Sequence, residues 1–378
     1  MIWIALRMLT GDRQKFYGLV FGVAFSTLLI TQQLTIFANL LERGASGVYN
    51  VPDADVWVMD PATRTIEVAY PLPSTALDRV RSVPGILWAV PHLRATASVR
   101  TGAGNLEAVA IVGVDDSTLV GLPPRVAPGK VAALTSPGSV IIDDVGAGRM
   151  FGVGNPVIGQ RFELNDQRAV IRGVTDSFPN FTNQVTLYTR YSEALSYVPG
   201  TRNRLTFILV KGDGAMTDQE LAHRIAKISG LRARSSEQFA DDAIEYILEN
   251  TGIPMNFGIT VGLGFIIGVA IVGLTFSLFI RDSIKQFGAL KAMGVSNKAI
   301  RRMVTAQASM IGLIGYSLGL VGTALFVWGF SNSATFKGFY IPWQVPLISF
   351  SAVALILAAT SRIALNRLMT TEPAAVFR

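Results

Sequence analysis

Side chains that could act as catalysts or metal ligands are few and scattered in this sequence. The chain has no cysteine, which excludes disulfides, thiolate metal sites and cysteine nucleophiles. Its two histidines, His92 and His223, lie far apart, and no His-Glu-x-x-His motif is present. We interpret both as isolated surface or capping residues rather than as a paired metal site. No Gly-x-x-x-x-Gly-Lys-[Ser/Thr] loop occurs either, so the chain lacks that means of binding ATP phosphates.

Clustered carboxylates offer no better candidate for catalysis. Asp53, Asp55 and Asp60 faintly resemble a cation-binding loop, but they lack the glycine and the terminal glutamate of an EF-hand. We interpret them as acids that flank a strand. Adjacent acidic pairs follow strand patterns and are predicted to cap turns or helices: Asp115/Asp116 and Asp143/Asp144. The sequence therefore predicts no catalytic residues, no metal site and no enzyme activity in this chain.

A short basic segment, residues 281–296, has the most informative spacing. Apolar residues recur there among basic ones: Ile284, Phe287, Leu290 and Ala292. This spacing predicts a short helix that Gly294 ends, because glycine is the usual residue after a helix C-terminus. Composition leaves two interpretations open, namely a basic helix at the lipid surface or a coupling helix docked into a partner protein.

Polar residues in an otherwise apolar stretch mark a second candidate site: Thr27, Thr31, Gln32, Gln33 and Thr35. Amides are costly to bury in lipid, so these side chains are expected to face protein or water. One interpretation is hydrogen bonding between helices of a bundle. The other is a cavity or dimer seam used by a substrate, formed by Thr31, Gln32, Gln33 and Thr35.

Glycines four residues apart occur three times in the apolar segments: Gly258/Gly262, Gly264/Gly268 and Gly315/Gly319. Small residues at this spacing allow helices to approach closely in a membrane. We predict that they pack helices together, within one copy of the chain or across a dimer.

Four apolar segments are long enough to cross a bilayer, which needs about 20 residues in a helix. They cover residues 16–41, 257–280, 303–330 and 345–365. The first is longer than the apolar region of a signal peptide and is predicted to be retained. The chain is 50% hydrophobic and only 16% charged, as expected for a membrane protein.

The distribution of Lys and Arg predicts the orientation of these helices. The N-terminal flank, the 281–302 loop and the C-terminal flank together carry twelve basic residues against three acidic ones. The 42–256 segment has 20 basic and 23 acidic residues, and the short 331–344 loop carries only Lys337. Both termini and the 281–302 loop are therefore predicted to be cytoplasmic, with 42–256 outside. The net charge of +7 is an orientation signal, and no nucleic-acid partner is expected.

The long outer segment is predicted to be a mixed α/β domain. Strand-like runs rich in β-branched residues cover 54–59, 108–114, 139–142, 169–174, 184–189 and 206–210. Helices are predicted at 75–83, at 218–228 behind a Thr217/Glu220 capping box, and at 236–249 as a stalk leading to the second membrane helix. The predicted fold class is a membrane α-helical protein with four transmembrane helices and a large mixed α/β extracytoplasmic domain between helices 1 and 2.

Three segments of this sequence resemble one family. Residues 286–295, Gln-Phe-Gly-Ala-Leu-Lys-Ala-Met-Gly-Val, resemble the "E-I-G-I-L-R-A-L-G-A" loop of MacB/FtsX/LolC-type ABC transporter permeases, with Gln286 in place of Glu and Met293 in place of Leu. Residues 155–164 with 169–174 are similar to its "P-V-G-x-x-I-x-L … F-x-V-V-G-V" pattern, and 366–378 to its terminal "R-x-x-x-x-x-P-x-x-A-L-R". Phe25, Gln32–Gln33 and residues 54–61 most resemble DevC-like permeases.

This resemblance implies a coupling helix that contacts a dimeric ABC ATPase. The implied contact residues are Lys285, Gln286, Phe287, Gly288, Ala289, Leu290, Lys291, Ala292, Met293 and Gly294. It implies no cofactor in this chain, with ATP and Mg on the partner ATPase. A second permease copy, forming a homodimer, and membrane lipids are the other expected partners. The resemblance to DevC-like permeases further implies two partners, a membrane-fusion adaptor and a TolC-like channel. It also implies a location in a bacterial inner membrane, with the large domain in the periplasm.

The expected function is that of an exporter permease that works by mechanotransmission, passing ATP-driven movement to the outer domain. Two alternatives within the superfamily are an FtsX-like regulator of a cell-wall hydrolase and a LolC-like lipoprotein release subunit. Heme export is less well supported, since no histidine lies in a predicted membrane helix. The sequence leaves lipids, glycolipids, peptides and hydrophobic drugs open as substrates.

Overall fold

The computed structural model of the chain describes residues 2–100, 106–126, 132–152, 154–182, 184–198, 200, 204–331, 333 and 335–370. Of the C-terminal motif at 366–378, residues 371–378 lie outside the described residues. The chain divides into two compact units, one formed by Met1–Asn39 with Gly252–Arg378 and the other by Leu40–Thr251. Each unit has its own hydrophobic core.

The first unit is helical, and four of its described helices are long and apolar enough to cross a membrane. These four confirm the predicted membrane helices: α2 (Arg13–Tyr49), α8 (Ile253–Asp282), α10 (Asn297–Phe330) and α11 (Gln344–Thr370). Two shorter helices accompany them: α1 (Ile2–Gly11) and α9 (Ile284–Ala292). Buried apolar side chains from all six helices form one core.

The second unit is mixed α/β, which confirms the predicted fold class. Its helices are α3 (Thr75–Arg81), α4 (Asp144–Phe151), α5 (Tyr191–Tyr197), α6 (Asp218–Ser229) and α7 (Ser236–Asn250). Its strands are β1 (Val56–Met59), β2 (Leu72–Pro73), β3 (Ile86–Arg100), β4 (Leu106–Val114), β5 (Ser139–Asp143), β6 (Arg161–Leu164), β7 (Gln167–Thr175), β8 (Val185–Arg190), β9 (Arg204–Leu205), β10 (Phe207–Gly212) and β11 (Arg232–Ser235). All six strands predicted from sequence are present within one or two residues of their expected bounds.

Nine of these strands form one sheet in the order β11-β1-β10-β3-β4-β8-β5-β7-β6. Strand β6 also pairs with β3 through Val99 and Leu164, so the last six strands close into a small barrel. Alternate residues fill its interior, as expected from the two-residue period of a strand. Examples are Val109 and Ile111 of β4, and Val185 and Leu187 of β8.

The long strand β3 joins this barrel to a four-stranded sheet of β11, β1, β10 and β3. One face of that sheet packs on α3 and α6 through Val56 and Ile208. The other face packs on α7 and the end of α2 through Trp57 and Phe207. Both faces are covered, which explains the nearly continuous apolar runs of β1 and β10.

Candidate functional site

The short helix α9 lies between the second and third membrane helices and ends in a Schellman motif. The N–H of Val295 donates to the carbonyl of Leu290 at 3.1 Å, and the N–H of Gly294 donates to that of Lys291 at 2.9 Å. Gly294 has φ +89°, in the left-handed region that glycine adopts without strain. The turn therefore fixes the direction in which the chain leaves α9 and enters α10.

The side chains of α9 divide into an inner and an outer group. Phe287 is fully buried in the helical core and Gly288 is buried beside it, while Leu290 is half-buried. Lys285, Gln286, Ala292, Met293 and Gly294 are exposed, and the exposed fraction of Met293 is 73%. This second group is the part of α9 and its C-terminal turn that is most accessible to a partner. The intervening residues Ala289 and Lys291 are half-buried.

A cleft of about 730 Å³ lies between α9 and the N-terminal helix α1. Trp3, Arg7 and Met8 line one wall, and Gln286 and Met293 line the other. Sequence reasoning missed α1, although Ile4, Ala5, Met8 and Leu9 recur at helical spacing. The exposed surface of α9 thus continues, across the cleft, into the mixed polar and apolar surface of α1.

One hydrogen bond and two salt bridges hold the elements around this cleft. Gln307 of α10 is fully buried, and its Nε2 donates to the carbonyl of Ala5 at 2.7 Å, which anchors α1. Lys15 Nζ lies 2.5 Å from Asp12 Oδ2 and 2.6 Å from Asp282 Oδ2. The start of α2 is therefore joined to the end of α8, and only Ser283 separates Asp282 from the start of α9.

The predicted polar residues of α2 occupy two environments. Thr31 and Thr35 are buried, and their hydroxyl groups have no hydrogen-bond partner among the described residues. Gln32 and Gln33 are only half-buried. Thr27 satisfies its hydroxyl locally by donating to the carbonyl of Val23 at 2.8 Å.

One turn beyond Thr35, a buried amide that sequence reasoning missed fixes the outer end of α2. Asn39 Nδ2 donates to the carbonyls of Thr35 and Tyr340, each at 2.7 Å, and Asn39 Oδ1 accepts from the N–H of Tyr340 at 3.1 Å. The side chain of Asn39 thus binds both the backbone carbonyl and the backbone N–H of Tyr340, in the connection between α10 and α11. An asparagine near the end of an apolar run is the sequence signal that could have identified it.

The three glycine pairs also differ in their surroundings. A Cβ placed on Gly319 would lie 2.5 Å from Thr27 Cβ and 2.7 Å from the carbonyl oxygen of Ala24, and Gly315 and Gly268 are similarly crowded. Gly264 makes ordinary contacts at 3.5 Å with α2. Around Gly258 and Gly262 the described residues leave open space within 4 Å. Three of the six glycines therefore allow close approach within the bundle, Gly264 packs at ordinary distances, and two lie on its surface.

Three of the outer-domain acids considered in the sequence, Asp55, Asp115 and Asp143, accept hydrogen bonds from neighbouring groups. Asp55 accepts from Lys211 Nζ at 2.6 Å and from the N–H of Gly212 at 3.0 Å. Asp143 caps α4 by accepting from the N–H of Gly146, which confirms the predicted capping role. Burial acts to raise the pKa of Asp115, but hydrogen bonds from the following turn outweigh it and the net pKa lies below the usual value.

The histidines do not meet at a metal site. Across the described residues, no group of three or more His, Cys, Asp or Glu side chains is arranged to bind a metal. His223 is exposed on α6. His92 was predicted to be a surface or capping residue, and this was wrong, because it is only 3% exposed and packs edge-on against Trp57. Burial, and then the charge of Arg94, lower its pKa to about 3.

Comparisons with known families match nearly the whole chain. The family model for the MacB-like periplasmic core domain matches residues 17–228, and the model for the FtsX-like permease C-terminal region matches residues 258–373. The second match includes most of α8, and all of α9, α10 and α11 with the Schellman turn. None of the curated proteins matches the chain significantly.

Two solved structures are each similar to about half of the chain. The extracellular domain of the noncanonic ABC-type transporter YknZ from Gram-positive bacteria is 16% identical, with a TM-score of 0.35, over 48% of this chain and 98% of that one. The periplasmic region of MacB from Actinobacillus actinomycetemcomitans is 18% identical, with a TM-score of 0.37, over 54% of this chain and 95% of that one.

Proposed function

Because this chain belongs to the MacB/FtsX-type superfamily of ABC permeases, we propose that it is the membrane subunit of an exporter driven by a separate ATPase. The observation that carries this proposal is α9, a capped helix with an exposed side formed by Lys285, Gln286 and Met293. Short amphipathic helices commonly dock into a groove on a partner protein. ATP and Mg would bind to that partner.

The packing of α9 supports a role in transmitting force. Phe287 is buried in the same core as Phe276 and Phe279 of α8 and Ile300 of α10. Protein interiors are close-packed, so α9 cannot shift without displacing these side chains. A movement of the docked ATPase would therefore reach the membrane helices through Phe287.

We further propose that α2 carries this movement outward. The helix is unbroken from Arg13 to Tyr49, so it continues past Asn39, where the first unit ends. A helix rises 1.5 Å per residue and resists bending, which suits it to this task. The outer unit would then expel or hand over a substrate that reached it without crossing a central pore. This is the mechanotransmission expected from sequence.

The assembly we propose contains two copies of the chain. Gly258 and Gly262 lie on an open face of α8, flanked by the exposed side chains of Ile259 and Ile266. Glycines at this spacing pack against a second helix when one is present. A membrane-fusion adaptor and a TolC-like channel would complete a DevC-like assembly in a bacterial inner membrane, with both termini in the cytoplasm.

The test of the coupling proposal is a complex with a co-expressed candidate ABC ATPase, purified in mild detergent. We expect Met293→Asp to weaken the complex at least about tenfold and to uncouple ATP hydrolysis from the permease, since a charge replaces an apolar contact. Asn297→Asp is the matched control, because it adds the same charge to an exposed residue four positions away.

Equal effects of the two variants, or no stable complex with any candidate ATPase, would contradict the proposal. In that case α9 is better explained as a helix that binds the lipid surface. Partners recovered with an intact complex separate the remaining functions, since an exporter should bind an adaptor and an FtsX-like regulator should bind a cell-wall hydrolase.

A further inference from the structure

A groove of about 410 Å³ runs between α10 and α11 on the surface of the helical unit. Small residues form much of its lining, including Ala308 and Gly312 on α10 and Ala354 and Ala358 on α11. The side chains of Leu313 and Phe350 at its rim are 63% and 49% exposed. The groove is therefore an open, elongated hollow between two membrane helices.

The walls of the groove are largely apolar, and three of the four hydroxyl side chains that line it donate to backbone carbonyls. Tyr316 closes one end by packing edge-on against Phe350, and its hydroxyl donates to the carbonyl of Pro346 at 2.6 Å. Toward the opposite end, the Thr305 hydroxyl donates to the carbonyl of Arg301 at 3.0 Å, and the Ser361 hydroxyl donates to that of Ala358 at 3.2 Å. An apolar chain would enter the groove without leaving these groups unpaired.

Three exposed basic residues precede the groove on α10: Lys298, Arg301 and Arg302. Each stands seven residues before a groove residue, namely Thr305, Ala308 and Ser309. Seven residues are about two helical turns, so each basic residue lies on the same face as its groove residue. Long basic side chains can extend along an apolar surface and keep their charge in water.

No acidic side chain on α9, α10 or α11 neutralises this basic cluster. The sequence has no Asp or Glu between Asp282 and Glu372, a stretch that contains all of α9, α10 and α11. None of the ion pairs among the described residues involves the three basic side chains. The N-terminus of α10, capped by Ser296, adds the positive end of a helix dipole.

We propose that this groove binds one anionic phospholipid, with an acyl chain between α10 and α11 and its phosphate at Lys298, Arg301 and Arg302. An apolar hollow that ends at an unneutralised basic cluster matches a molecule with an apolar chain and an anionic head. The proposal requires only that α10 and α11 span a membrane. It is independent of whether α9 binds an ATPase.

The test is native mass spectrometry of the full chain in mild detergent, with phosphatidylglycerol and phosphatidylcholine that carry the same acyl chains. We expect the wild type to retain phosphatidylglycerol at least about tenfold more tightly, because basic residues near a membrane surface favour anionic lipids. Lys298→Gln, Arg301→Gln and Arg302→Gln combined should abolish this preference. The matched control combines Arg281→Gln, Lys285→Gln and Lys291→Gln, which removes equal charge away from the groove.

A second pair of variants tests the groove itself. Ala354→Phe should fill the hollow and weaken retention of both lipids, while Ala359→Phe, which is exposed on α11 outside the groove, should not. Equal loss in the two triple variants would overturn the proposal in favour of a general charge effect. No lipid preference in the wild type, no difference between the two Phe variants, or a change of oligomeric state in Ala354→Phe would also overturn it, the last by identifying an interface between copies.

Discussion

At the residue scale, His92 shows how burial changes the chemistry of a side chain. It lies in an aromatic cluster of the outer unit, with its ring centroid 5.6 Å from that of Trp57 and 6.3 Å from that of Phe207. Its Nδ1 has no hydrogen-bond partner among the described residues. A protonated imidazole would be poorly solvated there, so the folded domain holds His92 neutral.

This burial predicts that acid destabilises the outer unit. The pKa of His92 is about 3 in the folded protein and near the ordinary 6.5 when unfolded, so only the unfolded state takes up a proton between these values. Stability is therefore fully present above pH 6.5 and falls below it, by about 2 kcal/mol at pH 5. Urea titrations of the detergent-purified chain at pH 7 and pH 5 would measure this, with His92→Phe losing less stability on acidification. Equal losses in both proteins would contradict it.

A second residue-scale prediction concerns the crowded glycines. Gly319→Ala should destabilise the helical unit by about 1–3 kcal/mol, because the new Cβ would meet the backbone of α2 at Ala24. Gly329→Ala is the control on the same helix, since it meets nothing within 4 Å and should be neutral or slightly stabilising. Thermal unfolding in detergent would compare them. Similar melting temperatures for the two variants would show that α2 and α10 do not pack this closely.

At the element scale, strand β3 and helix α1 each connect two parts of their own unit. Strand β3 takes part in both the four-stranded sheet and the barrel, so the two halves of the outer unit share a strand. Helix α1 forms one wall of the cleft beside α9 and is held on α10 by Gln307. The surface that this cleft would offer to the proposed ATPase therefore depends on how firmly α1 is held.

We predict that Gln307→Met releases α1 without unfolding the bundle. The variant loses the hydrogen bond to Ala5 and also removes an amide oxygen that has no partner among the described residues. One hydrogen bond is worth roughly 1 kcal/mol, so amide exchange in α1 should rise about fivefold while overall stability stays unchanged or increases. Gln344→Met, at an exposed amide, is the control. Unchanged exchange in α1 would rule out this anchoring role.

At the scale of the whole molecule, the lack of cysteine makes the orientation directly testable. Leu106 of the outer unit is 67% exposed and Met293 beside α9 is 73% exposed. A membrane-impermeant maleimide should label Leu106→Cys in intact spheroplasts and Met293→Cys only after lysis, because Lys and Arg favour the cytoplasmic side. The reverse pattern would contradict the orientation, and with it the access of an ATPase to α9.

The proposed dimer predicts a position-dependent cross-link in the same cysteine-free background. Gly262→Cys lies on the open face of α8 and should form a disulfide between two copies in oxidised membranes. Leu318→Cys on α10 is 53% exposed and should remain monomeric, since it lies outside that face. Cross-linking of both variants, or of Leu318→Cys alone, would place the contact between copies elsewhere.

Local patterns in the sequence were sufficient for the class of protein and for most of its elements. Apolar length identifies membrane helices, and short runs rich in β-branched residues identify strands, because both signals depend only on neighbouring residues. The end of α9 at Gly294 and the Thr217/Glu220 capping box are local in the same sense. The resemblance that depends on residues 286–295 is also local, and the family models confirm the superfamily it indicated.

Only the tertiary structure determined which residues from distant parts of the chain contact each other. Pro91 interrupts the strand pattern, so β3 was missed, yet it pairs opposite Ile208 in the finished sheet. The sequence likewise did not reveal that His92 is buried or that Gln307 binds the carbonyl of Ala5. Nor did it reveal that Gly319 is crowded by α2 while Gly262 faces open space. Each depends on residues far away in the chain that only folding brings near, and no local period in the sequence records such a neighbour.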